Sequence, residues 1–120
     1  MNKTQTLHSF WSGFGLKAYE ENAVPDGTVF PYLTYEAGSD SFDHKISLTA
    51  SLWYRSSSWW DATQKEQEIA DFITRGGRMV AYDNGAMWIQ RGTPWSQRMG
   101  DQNDDMVKRI IMNIELEYLD

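Results

Sequence analysis

The stretch ISLTASLWYRSSSWW, residues 46–60, joins the clearest strand pattern of the sequence to its clearest helix pattern. In residues 46–55 apolar side chains alternate with polar ones, and Trp53 is the large aromatic exception on the polar side. A period of two with one apolar face predicts a strand in a sheet that is covered on one side. Because Trp53 interrupts the polar face, we expect a partner to cover it, with Arg55 beside it.

A helix is predicted directly after this strand. Ser58 and Asp61 have the spacing of a capping box, which makes Ser58 the expected N-cap. Trp59 and Trp60 are expected to hold the first turn of the helix to the sheet, and Gly76-Gly77 to end the helix. The expected buried stripe consists of five apolar side chains: Ala62, Ile69, Ala70, Phe72 and Ile73.

The remaining segments complete an α+β pattern. Asn84-Gly85 between two apolar runs is a strong hairpin signal, whereas the polar segment 92–106 is expected to form a long irregular loop. The other predicted segments are a short helix (3–13), a strand (29–36), a loop (37–45), the hairpin strands (78–83 and 86–91) and a last strand (109–118). We therefore predict a single domain, residues 1–120. It has a mostly antiparallel sheet, with a central helix and a short N-terminal helix packed on one face.

Composition excludes some classes of protein. The 120 residues contain no cysteine, so neither a disulfide framework nor a thiolate metal site is possible. The net charge is −6 and lysines and arginines are not clustered, unlike the basic face of a duplex DNA binder. The N-terminus lacks the apolar run of a signal peptide, and no window reaches the ~20 apolar residues of a membrane span. Six tryptophans exceed what a core of this size needs, so we expect some at an interface.

The candidate metal ligands do not form a site in the sequence. His8 and His44 lie on different elements and have no partners at metal-ligand spacing. The segment Asp101–Asp105 matches the first half of a calcium loop, but Met106 replaces its glycine and Met112 its bidentate glutamate. We expect a solvated acidic loop and no metal.

Catalytic signatures are equally sparse. Ser56–Ser58 have no base or oxyanion hole nearby in sequence, and no pair of carboxylates has an apolar setting that would separate their pKa values. We expect no enzyme activity and no cofactor. Tryptophan-rich β domains also suggest a carbohydrate-binding module, in which aromatic rings stack on sugars, although packing explains most of these aromatic residues.

Four segments together resemble one protein family. They are YEENAVPD (19–26), FPYLTYE (30–36), SLWYRSSSW (51–59) and GAMWIQRGTPWSQRM (85–99). In this order they resemble the tail terminator, or tail-to-head joining, protein of long-tailed phages of Gram-positive bacteria. The resemblance covers nearly the whole chain and rests on the order of the segments, not on a mechanistic motif.

The resemblance implies a structural role in the virion. It implies an α+β subunit that assembles as a homohexameric ring, caps the tail tube and stops its elongation. The implied partners are the major tail tube protein and a head-completion or connector protein, and DNA passes through the lumen without specific binding. The implied location is the head-proximal end of the tail in the virion, and the host cytoplasm during assembly. No catalysis and no cofactor are implied.

Ring formation requires two different patches that meet head to tail. The candidate interface residues are Trp53, Arg55, Trp95, Arg98 and Met99. The segment 92–106 is expected to be mobile in the free subunit and to order on binding. A head- or tail-completion ring protein of the same joint is an alternative, and the carbohydrate-binding module is an alternative from another class.

Overall fold

The computed structural model describes residues 1–38 and 45–119. His44 and most of the expected loop 37–45 lie outside these residues. The described part has two helices and six strands: α1 (Lys3–Ser12), β1 (Lys17–Glu20), β2 (Tyr32–Tyr35), β3 (Ile46–Arg55), α2 (Trp60–Ile73), β4 (Arg78–Tyr82), β5 (Gly85–Gly100) and β6 (Val107–Leu119). One sheet has the strand order β1-β2-β3-β6-β5-β4, in which only the β1–β2 pair is parallel. The predicted α+β class with a mostly antiparallel sheet is confirmed.

One face of the sheet forms the hydrophobic core. Alternate residues of β3 and β6 are buried and lie opposite one another, as Leu52 does with Ile110 and Ala50 with Met112. Side chains of both helices, among them Trp11, join the same cluster. We call this the core face, and we call the opposite side of the sheet the open face. The open face carries the intervening residues of β2, β3 and β6: Tyr32, Thr34, Ser47, Thr49, Ser51, Trp53, Arg109, Ile111, Asn113, Glu115 and Glu117.

The first helix has a capping box that the sequence analysis missed. The Asn2 side chain accepts a hydrogen bond from the Gln5 backbone N–H at 2.8 Å, and the Gln5 side chain accepts one from the Asn2 backbone N–H at 3.1 Å. This reciprocal pair satisfies two backbone donors at the start of α1 and explains why α1 begins at Lys3.

The start of α2 differs from the prediction. Trp59 is the N-cap residue, and the Ser58 hydroxyl instead accepts from the Trp60 N–H at 3.0 Å, so the expected Ser58 capping box is wrong. Trp59 packs against the core as expected, but Trp60 is 68% exposed. Trp60 precedes the buried Ala62 by two residues, about 200° around a helix, and therefore points away from the sheet.

Phe72 also departs from the predicted buried stripe. It is 44% exposed, whereas the stripe residues Ala62, Ile69 and Ile73 are fully buried. One residue is a rotation of about 100° on a helix, so Phe72 lies at the border of the stripe defined by Ile73. Its ring contacts Phe10 of α1, with centroids 6.0 Å apart, and lies edge-on to Phe14 just after α1, with centroids 5.4 Å apart.

The largest correction concerns segment 92–106, which is not one long loop. Strand β5 continues to Gly100, and its residues Ser96–Gly100 pair with Met112–Lys108 of β6. The pairing register with β6 shifts between Arg91 and Ser96, a segment that contains Pro94. Backbone hydrogen bonds hold this part of the strand, while most of its side chains are exposed, so it has no alternating apolar pattern to reveal it. Only residues 101–106 connect β5 to β6.

Smaller differences affect the other strands. β2 is shorter than the predicted strand 29–36, and β1 was not predicted, because this four-residue edge strand buries only Ala18. The predicted hairpin between β4 and β5 is confirmed. The predicted position of its turn at Asn84-Gly85 is wrong by one residue, since Tyr82 pairs with Gly85 and the two turn residues are Asp83 and Asn84.

Candidate interaction surfaces

A row of four side chains crosses the open face. Tyr32, Trp53, Arg109 and Met99 occupy paired positions on β2, β3, β6 and β5. The Tyr32 and Trp53 rings stack with centroids 6.0 Å apart and an interplanar angle of 11°, and the Arg109 guanidinium lies 4.5 Å from the Trp53 ring centroid. We call these four residues the aromatic row. It confirms that Trp53 lies on the polar face, whereas coverage by a partner stays a prediction.

Hydrogen bonds hold the aromatic row in place. The Trp53 indole N–H donates to the Thr34 hydroxyl at 2.9 Å, and the Arg109 Nε–H donates to the Ser51 hydroxyl at 3.1 Å. Thr34 and Ser51 are buried, so both acceptors are fixed within the sheet. Burial also raises the pKa of Tyr32, an effect that the nearby Arg109 charge partly opposes. The row is thus a preformed surface whose side chains are already oriented.

Arg55 makes its contact within the chain. Its guanidinium donates to the Asp104 carboxylate at 2.6 Å, and the Ser56 N–H donates to the Met106 carbonyl at 2.7 Å. The Met106 N–H, followed by the Arg55 side chain, holds the pKa of Asp104 below its ordinary value, although partial desolvation acts in the opposite direction. Arg55 therefore fastens the connection 101–106 to the end of β3.

Trp95 and Arg98 lie toward α2. Trp95 is half-buried and packs against the core, and its indole N–H is buried without a hydrogen-bond partner among the described residues. Arg98 lies 5.1 Å from the Trp59 ring centroid and donates to the Thr63 hydroxyl at 3.3 Å. Met99, by contrast, is 47% exposed on the open face. The five predicted interface residues therefore do not form one patch: Trp95 and Arg98 lie on the core side of β5, whereas Met99 lies on the open face with Trp53.

A second surface lies between the helices and the edge strand β4, and the sequence analysis missed it. It is a groove of about 620 Å³ whose apolar lining includes Phe10, Phe14, Phe72 and Val80, with Arg78 at its edge. The Arg78 guanidinium lies 4.0 Å from the Phe72 ring centroid, and its Nε–H donates to the Phe72 carbonyl at 2.5 Å. We call this surface the helix groove. Helical spacing marks its phenylalanines as core residues, so the pattern alone gives no sign of a groove.

A serine and a histidine also come together, at the end of α1. The Ser12 hydroxyl lies 3.3 Å from His8 Nε2, and the Tyr35 hydroxyl lies 3.0 Å from His8 Nδ1. The arrangement lies at the C-terminal end of a helix, where backbone carbonyls concentrate partial negative charge and disfavour an oxyanion. We therefore assign the contact between His8 and Tyr35 to the attachment of α1 to β2.

Within residues 1–38 and 45–119, no group of three or more His, Asp or Glu side chains is placed to hold a metal ion. Neither α1 nor α2 is long and apolar enough to cross a membrane.

The fold has a counterpart among solved structures. No family model matches the sequence, and no curated protein matches it. A chain of the structure described as the virion of a native gene transfer agent (GTA) particle superposes with a TM-score of 0.65 and 15% sequence identity. The match covers 98% of this chain and 91% of that chain. At this identity the likeness establishes a shared fold.

Proposed function

We propose that this chain is a structural virion assembly protein of a long-tailed phage, specifically a tail terminator without enzymatic activity. In this role six copies form a ring that caps the tail tube, stops its elongation and joins the tail to the head. The observation that carries the proposal is the fold shared with a chain of the GTA virion over nearly the full length of both chains. The resemblance of the segments 30–36, 51–59 and 85–99 to tail terminators points to the same role.

The surface of the subunit is consistent with assembly. A closed ring needs a heterologous interface, in which two different patches of the same chain meet. The aromatic row and the helix groove are two such patches, on opposite sides of the sheet. Aromatic and arginine side chains of this kind are typical of the residues that contribute most to binding at protein interfaces.

The proposed partners follow from this position in the virion. One side of the ring contacts the major tail tube protein, and the other contacts a head-completion or connector protein. DNA passes through the lumen, and the net charge of −6 disfavours its retention there. Assembly takes place in the host cytoplasm, after which the ring stays at the head-proximal end of the tail.

A sugar-binding role has less support. Of the six tryptophans, Trp60 alone is largely exposed, and one face of the Trp53 ring is stacked on Tyr32. A sugar platform needs accessible ring faces, and Trp60 supplies a single one. Intrinsic fluorescence titrated with a glycan panel tests this role directly, and a saturable change with any glycan would favour it.

Electron microscopy of tail tubes tests the proposed function. Tubes of the cognate major tail protein are assembled with and without the gold-labelled chain. We expect label at one end of each tube and a halt in elongation when the chain is added early. Label along the whole tube, or none with elongation unchanged, would contradict a terminator. Binding to isolated connectors but not to tubes would instead identify a completion protein.

A further inference from the structure

We propose that the helix groove of one subunit receives Trp60 of the next subunit, so that copies of this chain join head to tail. The inference deepens the proposed ring and rests on it. Trp60 is 68% exposed at the first residue of α2, whereas the groove lies beside the last turns of both helices. Trp60 and Phe72 are twelve residues apart on one helix, or about 18 Å, so Trp60 cannot fill the groove of its own chain.

The groove suits an aromatic occupant. Its floor is formed by phenylalanine rings that contact one another edge to face, with centroids 5.5 Å apart for Phe10 and Phe14 and 5.4 Å for Phe14 and Phe72. Its volume of about 620 Å³ accommodates an indole together with neighbouring side chains. A buried tryptophan contributes roughly 150–250 Å² of contact area, which makes it a strong anchor in such a pocket.

The charges around the two patches are complementary. Near Trp60, the adjacent Trp59 ring lies 5.1 Å from Arg98 and 5.8 Å from Lys108, and the N-terminus of α2 adds partial positive charge. The groove is lined by Asp71 and by Glu68, which is paired with Lys65 of the same helix at 3.0 Å. It also lies beside the C-terminal ends of α1 and α2, neither of which has a basic residue in its last turn.

Two further charges, one at each patch, also have opposite signs. Asp61 follows Trp60 in the first turn of α2, and Arg78 lines the groove. The N-terminal amino group of Met1, which also lies at the groove, is paired with Asp83 of the same chain. The positive charges near Trp60 therefore match the negative groove, and Asp61 near Trp60 matches Arg78 at the groove. A contact between a projecting residue and a pocket elsewhere on the same molecule is heterologous, and it closes into a ring when the rotation permits.

Disulfide trapping tests the contact, because the chain has no native cysteine. The double variant Gln64→Cys/Asp71→Cys keeps Trp60, since Gln64 is exposed one turn after it in α2, and places its thiols about 10 Å apart on one helix, beyond the ~4.4–6.8 Å Cα separation of a disulfide. Any bond between these positions must therefore join two molecules. We expect a ladder of cross-linked species on non-reducing gels that ends at a fixed ring size. The control is Gln64→Cys/Met79→Cys, since Met79 is 54% exposed on the opposite side of β4. No ladder, or equal ladders for both variants, would overturn the contact.

Sedimentation velocity of Trp60→Ser separates this contact from the ring itself. Trp60 is largely exposed, so the variant should fold like the native chain, but its subunit dissociation constant should rise roughly 30-fold or more. Met79→Ser should leave association unchanged. If the native chain forms rings and Trp60→Ser forms them equally well, the contact is wrong and the ring stands. If the native chain is monomeric at every concentration, even with tail tubes present, the contact and the proposed ring both fail.

Discussion

The two faces of the sheet are built from alternate residues of the same strands, yet they are organised differently. On the core face, Leu52 and Ile110 are almost completely buried beneath the helices, and burial raises the pKa of Tyr54 to about 12. On the open face, Trp53 and Arg109 are half-buried and are held by stacking and side-chain hydrogen bonds. The core face therefore supplies most of the hydrophobic stabilisation. The open face presents a structured surface whose side chains take no part in the hydrophobic core.

Leu52→Ala should have the largest effect on stability. Leu52 is fully buried on the core face, so truncation removes apolar contacts and leaves a cavity. We expect the free energy of unfolding to fall by about 2–5 kcal/mol, measured by urea denaturation. The matched control is Ser47→Ala, which lies exposed on the open face of the same strand and should change stability by less than about 0.5 kcal/mol. Equal losses for the two variants would contradict the difference between the faces.

Gly77→Ala should have the next largest effect. Gly77 has φ +90°, and an added Cβ would lie 2.5 Å from Trp88 Nε1 and 2.8 Å from the Ile89 carbonyl oxygen. Strain in this backbone region costs a residue other than glycine about 1–3 kcal/mol. The adjacent Gly76→Ala is the control, since an added Cβ there has no atom within 4 Å. Thermal unfolding of both variants measures the difference, and equal melting temperatures would show that the turn before β4 tolerates a side chain.

Trp53→Ser should reduce stability less than Leu52→Ala does. It removes the stacking on Tyr32 and the contact with Arg109, together worth about 1–2 kcal/mol. We also expect ring formation to be impaired more than folding, because the aromatic row is a proposed subunit contact. Urea denaturation and sedimentation velocity on the same sample compare the two losses. A stability loss larger than that of Leu52→Ala, with association intact, would show that Trp53 serves folding and not subunit contact.

Arg55→Ala should have the smallest effect, since its ion pair with Asp104 is exposed to solvent. The pKa of Asp104 is lowered in the folded chain. The stability from this group is therefore present above the ordinary carboxyl pKa and is lost as the pH falls through the lowered value. In the variant, the pKa of Asp104 should rise but stay below its ordinary value, because the Met106 N–H still donates to the carboxylate. Carbon-13 NMR titration of Asp104 measures this, and an unchanged pKa would show that Arg55 does not stabilise the carboxylate.

Local periodicity predicted the elements that bury one side. The alternation of residues 46–55 predicted β3 with its observed bounds, and the helical spacing near the N-terminus predicted α1 to within one residue. The same reasoning failed for residues 92–100, where backbone pairing with β6 forms a strand whose side chains are mostly exposed. Periodicity reports which side chains require burial, so it does not detect a strand that buries few of them.

By itself the sequence determined the fold class, the orientation of Trp53 away from the core, and the excess of aromatic residues over what the core requires. Tertiary structure alone decided which aromatic residues meet. The strand order brings Tyr32 and Arg109 to either side of Trp53, and the packing of α1 on α2 turns Phe10, Phe14 and Phe72 into the helix groove. The physical reason is that a sequence pattern sets the direction of a side chain within its own element. The neighbours of that side chain depend on how distant elements pair and pack. The aromatic row and the helix groove are both formed by such contacts between distant elements.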